Sequence, residues 1–227
     1  MEMEELSYPE LYKRLRASFG HLGWWPGETR DEIVIGAILT QQTSWKNVER
    51  AIDGLRSEGL VDLKRISATN VKVIERAIRP SGFYRQKARR LKGIATYLCR
   101  NYGTLDRLFR KDAIALRKEL LSLNGIGKET ADSIILYAAE KPIFVIDAYT
   151  RRIMSRAYGT DPEIDYDALQ AMITSGIRKN LGLYKDFHAQ FVELGKANCR
   201  TRPICAGCPI SEYCRYFAHA IGTRQEA

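Results

Sequence analysis

Leu121-Ser122-Leu123-Asn124-Gly125-Ile126-Gly127-Lys128-Glu129-Thr130-Ala131-Asp132 joins two amphipathic helical patterns through a glycine-isoleucine-glycine turn. Neither glycine carries a side chain and both can take positive φ. Their N–H groups can therefore approach a phosphate closely, beside the positive end of a helix that starts near Lys128. Ile126 is expected to point inward and lock the two helices together. A GxG turn by itself is equally an ordinary helix–helix connection. Its surroundings carry more: the pattern L-x-G-x-G-x-x-T-A-x-x-I runs from Leu123 to Ile134, and the apolar Ile143-Phe144-Val145-Ile146 follows, ending at Asp147.

Away from this turn the periodicity is helical almost throughout. Leu60, Leu63, Ile66, Val71, Ile74 and Ala77 recur at helical spacings across a break at Ser67-Ala68-Thr69-Asn70, and Leu91, Ile94, Ala95 and Leu98 do the same. No pair of alternating strands with a tight turn stands out. Breaks fall at Gly20 to Pro26, Arg79 to Gly82, Asn101 to Gly103 and Gly159 to Pro162. The expected class is all-α with short connections, and a domain boundary is expected near Glu140-Lys141-Pro142, where a helix must end before proline.

The sequence of 227 residues can bury one large core or two modest ones. Its 36 Lys and Arg against 27 Asp and Glu give a net charge of +9, which favours a polyanionic partner, since each neutralised phosphate releases condensed counterions. Cys199, Cys205, Cys208 and Cys214 form a C-x5-C-x2-C-x5-C loop. Four thiolates in one compact loop make a tetrahedral sulfur cage that suits an iron–sulfur cluster or zinc. Structural zinc sites usually take cysteines in two close pairs, whereas only Cys205 and Cys208 are close here, so a 4Fe-4S cluster is favoured over zinc. Disulfides would leave Cys99 over, and MEMEELSYPE shows no basic region followed by an apolar run. The longest strongly apolar run, Ile33 to Leu39, is too short to cross a bilayer, so a soluble, cytoplasmic protein is expected.

Hairpin, V-I-D segment and cysteine loop stand in the order, and near the spacing, of the helix-hairpin-helix DNA glycosylases of the endonuclease III superfamily, which the chain resembles from about Glu28 to Tyr216. The resemblance implies two α-helical domains with a DNA-binding cleft between them. One is a six-helix barrel holding the hairpin, residues 28–140. The other is a cluster domain built from residues 1–27 and 141–227. It also implies a monomer acting on damaged double-stranded DNA, with Gly125, Ile126, Gly127, Lys128 and Thr130 gripping the strand.

Asp147 matches the family's catalytic aspartate. Breaking a base–sugar bond develops oxocarbenium character on the deoxyribose, and a carboxylate there stabilises that charge and orients or deprotonates water. The same residue can cap the helix that follows. Family members that also cut the strand carry a lysine two residues after the second hairpin glycine, where this chain has Glu129. One residue along a helix turns a side chain by roughly 100°, so the neighbouring Lys128 suits phosphate better than the anomeric carbon. A monofunctional glycosylase is therefore expected. Extruding a base leaves a gap to be filled. Gln42, in Leu39-Thr40-Gln41-Gln42-Thr43, and Phe83, in Ser81-Gly82-Phe83-Tyr84-Arg85-Gln86-Lys87-Ala88, resemble the filling residues, with Lys87 beside them at the DNA.

Trp24, Trp25 and Pro26 are the expected lesion pocket, because indole faces attract the positive ring of an N-methylated purine. This matches the 3-methyladenine glycosylases of the endonuclease III-like subgroup. The competing expectations are the same fold acting on oxidised pyrimidines or mismatched bases, with or without strand cleavage, and a DNA-binding protein without catalysis.

Overall fold

The computed structural model describes residues 5–219, and all regular structure among them is helical. Two compact units form: Trp25–Ile143, and a second made from the segment up to Trp24 together with the chain from Phe144 onward.

Local capping chemistry sets most helix starts. Ser7 opens α1 (Tyr8–Phe19), Thr29 opens α2 (Arg30–Leu39), and α3 spans Trp45–Ser57. Asp62 caps α4 (Leu63–Ala68) and Asn70 caps α5 (Val71–Ala77), each side-chain oxygen accepting an otherwise unpaired first-turn N–H. The long α6 (Tyr84–Asn101) is followed by the single turn α7 (Leu105–Leu108). The hairpin helices are α8 (Ala113–Leu121), capped by Asp112, and α9 (Lys128–Ser133), which continues as a π-helical stretch, Ile134–Ala138. α10 (Ala148–Tyr158), α11 (Tyr166–Ser175) and α12 (Leu181–Ala197) complete the chain.

Within Trp25–Ile143 the centre is α2, whose residues Val34 to Leu39 are all buried. A helix apolar on every side must be covered on every side, and α2 touches α3, α6, α9 and the π-helical stretch. Leu91, Ile94, Ala95 and Leu98 of α6 and Ile134 and Ile135 beyond α9 belong to the same core. Trp25 also belongs here: its ring lies 5.2 Å from that of Trp45 and 5.1 Å from that of Tyr137.

In the other unit α12 packs against α1 and α10. Phe144, Phe187 and Phe191 form an aromatic centre, with Phe187 and Phe191 stacked at 4.8 Å. α10 and α12 cross closely at Gly195, where a Cβ would stand 2.2 Å from the Tyr149 ring. The buried Asp186 ties α12 to α1 and its following loop, accepting from Tyr12 Oη at 2.7 Å, from Arg16 at 3.1 Å and from the Leu22 N–H at 3.3 Å. No helix among the described residues is long and apolar enough to cross a membrane.

Candidate DNA-repair site

The hairpin is shaped by its contacts with α2's end and α6. Gly125 takes φ +89°, and a Cβ there would lie 2.4 Å from Arg90 Cδ, so the position has neither the backbone freedom nor the space for a side chain. Gln41 Nε2 donates to the Gly125 carbonyl at 2.9 Å and to Thr130 Oγ1 at 3.1 Å, while its Oε1 accepts from Arg90 at 2.9 Å. Ile126 is buried in the core beneath the turn, 5% exposed. Gly127 is exposed, with open space where its Cβ would be, and begins α9 without a side-chain cap. Lys128 is half-buried. Thr130, expected at the DNA, is instead 7% exposed and spends its hydroxyl on Gln41, because it occupies the inner face of α9.

Among the described residues three exposed non-glycine positions have positive φ: Gln42, Phe83 and Glu140, the last at the end of the Trp25–Ile143 unit. Gln42 has φ +54° and Phe83 has φ +43°, a left-handed region that side chains with a Cβ avoid. Phe83 is 64% exposed, so no burial compensates for either the strain or the wetted ring. Lys87, also expected at the DNA, lies elsewhere: it is 2% exposed, and its Nζ donates to the carbonyls of Leu39 at 2.8 Å and Ser81 at 2.7 Å. Burial, helped by the nearby Arg90 charge, pushes its ammonium down to about 8. It faces carbonyls rather than solvent because it sits on the inner side of α6.

In the other unit, Phe144-Val145-Ile146 is buried and leads into Asp147, with the Ile146 N–H donating to Tyr166 Oη at 3.1 Å. Asp147 is the N-cap of α10: its Oδ1 accepts from the Thr150 N–H at 2.7 Å and from the Thr150 hydroxyl at 2.8 Å. Oδ2 lies 3.7 Å from His188 Nε2, and the side chain keeps 13% exposure. Burial pushes the carboxyl up, but the electrostatic influence of the adjacent His188 and the two Thr150 donors outweigh it, holding the group below the usual carboxylate range. The result is an ionised carboxylate with a fixed orientation.

His188 and Gln41 were not singled out by the sequence. His188 sits in the apolar stretch Phe187-His188-Ala189, where one polar residue on a buried helix is a weak signal. Gln41 stands next to Gln42, and no spacing tells which of two adjacent glutamines turns inward.

Trp25 is enclosed by Trp45 and Tyr137, and Trp24 carries the Lys196 ammonium 4.8 Å from its ring centre. Each ring is engaged within its own unit, Trp25 against the core of Trp25–Ile143 and Trp24 by a lysine of α12.

Cys199, Cys205, Cys208 and Cys214 all line one pocket, with Ile153, Leu194 and Ile210 as apolar walls. Arg156 donates to Cys199 Sγ at 3.5 Å and Arg152 to the Cys199 carbonyl at 2.7 Å, so α10 grips the start of the loop. Among the described residues no three His, Cys, Asp or Glu side chains stand close enough to hold a single metal ion.

The HhH-GPD superfamily of base excision DNA repair proteins matches residues 35–179. A Methanocaldococcus jannaschii protein assumed to be a DNA repair glycosylase is 46% identical over 90% of this chain and 94% of its own length. Endonuclease III of Sulfolobus acidocaldarius is 30% identical over 86% of each chain. The structure of H. pylori 3-methyladenine DNA glycosylase bound to 1,N6-ethenoadenine aligns with a TM-score of 0.76 at 29% identity, covering 84% of this chain and 98% of that one. A non-covalent endonuclease III–DNA complex aligns with a TM-score of 0.81, covering 95% and 99%, and at 20% identity that likeness speaks to the fold alone. The chain belongs to the HhH-GPD superfamily of base excision DNA repair proteins and is a DNA glycosylase of that family.

Proposed function

We propose that this glycosylase is monofunctional and releases alkylated purines from duplex DNA, with Asp147 as the group that acts on the sugar. The observation that carries this reading is the oriented, ionised Asp147 carboxylate, 13% exposed beside His188, in a chain whose strand-cleaving lysine position holds the exposed Glu129. A negative oxygen pair held in place stabilises the developing oxocarbenium ion and orients the attacking water without reorganising during reaction. Hydrolysis then transfers water's oxygen to C1′ and frees the base with the electron pair of the broken bond. A purine alkylated on a ring nitrogen is already cationic and leaves readily, so a single carboxylate suffices. Likeness to a 3-methyladenine glycosylase structure at 29% identity supports this substrate class. The hairpin N–H groups around Gly127 bind phosphate, and Gln42 and Phe83 enter the space the base vacates.

Cys199, Cys205, Cys208 and Cys214 would hold a 4Fe-4S cluster. They fit it by surrounding one apolar pocket with an arginine donor on a sulfur, whereas a single zinc ion needs four sulfurs each about 2.3 Å from one point. When bound, the cluster supplies order to the loop, because hydrolysis of a glycosidic bond involves no net redox change.

The packing of the Trp25 ring on Trp45 and Tyr137 favours a second reading, in which the same Asp147 acts on an oxidised pyrimidine or a mismatched base. A panel of duplexes, each with one modified or mismatched base, decides between them when the released base is identified. Alkylated purines released without a borohydride-trapped covalent adduct are expected. Release of other bases alone, or a strong adduct, overturns the substrate or the monofunctional assignment respectively.

A further inference from the structure

The side chains of Gln42 and Phe83 are on different loops, yet one buried cation touches the base of both. Lys87 is 2% exposed, and its Nζ reaches Leu39 O at 2.8 Å and Ser81 O at 2.7 Å. Leu39 ends α2, three residues before Gln42, and its carbonyl belongs to the negative end of that helix. Ser81 closes the short 3-10 turn Arg79–Ser81, two residues before Phe83, and is itself fully buried. Phe83 in turn starts α6, its carbonyl accepting the Lys87 N–H at 3.0 Å. Both tips carry strained left-handed backbone, which persists only where the surroundings over-determine it. The Lys87 ammonium bridges the two, hydrogen-bonded to a carbonyl at the base of each. A buried ammonium is costly unless hydrogen-bonded, so the two carbonyls and the cation hold one another in register.

We propose that Lys87 is a positioning residue that couples the Gln42 and Phe83 tips, so that both enter the DNA together when a nucleotide is extruded. The proposal rests on the reading of those two side chains as gap-fillers. It assigns Lys87 no contact with DNA, and it makes insertion by either tip depend on the other through a shared ammonium. A residue that merely stabilised the fold would leave the two tips independent.

A double-mutant cycle tests this, using a duplex with a tetrahydrofuran abasic analogue opposite 2-aminopurine, whose fluorescence reports unstacking. In the K87M protein the fluorescence response is expected to fall by roughly tenfold or more, while affinity for undamaged duplex, carried by the hairpin, stays within about twofold. Adding K87M to a protein already carrying Q42A and F83A is expected to cause no further loss. Losses that multiply across the cycle, or a K87M response equal to wild type, overturn the coupling role. Should K87M not accumulate folded, K87Q, one atom shorter and uncharged so that it does not hold both carbonyls as the ammonium does, enters the same cycle with the same two outcomes. A wild-type protein that binds the abasic duplex with no fluorescence change at all overturns the gap-filling reading itself, and the proposal with it.

Discussion

Asp147 meets two demands with one side chain. Its Oδ1 closes the first turn of α10 through Thr150, and its Oδ2 is left facing His188. Asparagine is as good an N-cap as aspartate but carries no charge. D147N is therefore expected to keep its thermal unfolding midpoint within a few degrees while single-turnover base release falls by about 10²–10⁴-fold; a parallel loss of both would mark a structural role alone. His188 sets the proton affinity of the same group. Burial raises the Asp147 carboxyl, and His188 with Thr150 brings it below the ordinary range. For a depressed carboxyl, the ionised form and its contribution to folding are present above the unfolded-state pKa of about 3.9 and are lost as pH falls through the lower folded value. H188A removes the largest lowering influence and leaves the burial. The acid limb of the pH–rate profile is then expected to move to higher pH, and an unmoved limb would show that His188 does not tune the carboxylate.

The hairpin is the element whose shape depends most on a neighbour. Its turn could be recognised from glycine spacing, but the lock on it comes from Gln41 and Arg90, which reach it from the end of α2 and from α6. Gly125 combines positive φ with Arg90 methylenes where a Cβ would go. G125A is expected to cost about 1–3 kcal/mol in denaturant unfolding and to weaken duplex binding. G125A is expected to cost less in an R90A background than in the wild type, since R90A removes the clash while leaving the strained φ. Helix starts were legible for a similar local reason: Thr29, Asp62, Asn70, Asp112 and Asp147 each cap within three residues of sequence. The π-helical stretch Ile134–Ala138 was not, because π hydrogen bonding is imposed by packing around Tyr137 and Trp25 rather than by local propensity.

Across the whole molecule, a net charge of +9 and an exposed Gly127 turn predict an interaction dominated by phosphate. The logarithm of duplex affinity is expected to fall linearly with the logarithm of salt, with a slope of about −0.9 for each phosphate contacted; a salt-insensitive affinity would exclude the hairpin as the gripping element. Charge, helical periodicity, the hairpin and the C-x5-C-x2-C-x5-C loop are all one-dimensional patterns; from them the amino-acid order alone determined an all-helical chain with Asp147 heading a helix, and their order and spacing carried the resemblance to the repair glycosylases. Tertiary structure decided which adjacent residue does what. It turned Gln41 inward and Gln42 outward, drew Lys87 off the surface onto the carbonyls of Leu39 and Ser81, packed Trp25 on Tyr137, set Lys196 over the Trp24 ring, and set His188 against Asp147. The reason is that periodicity places a residue on a face, whereas hydrogen-bond partners and burial come from elements far away in sequence, whose approach no local pattern encodes.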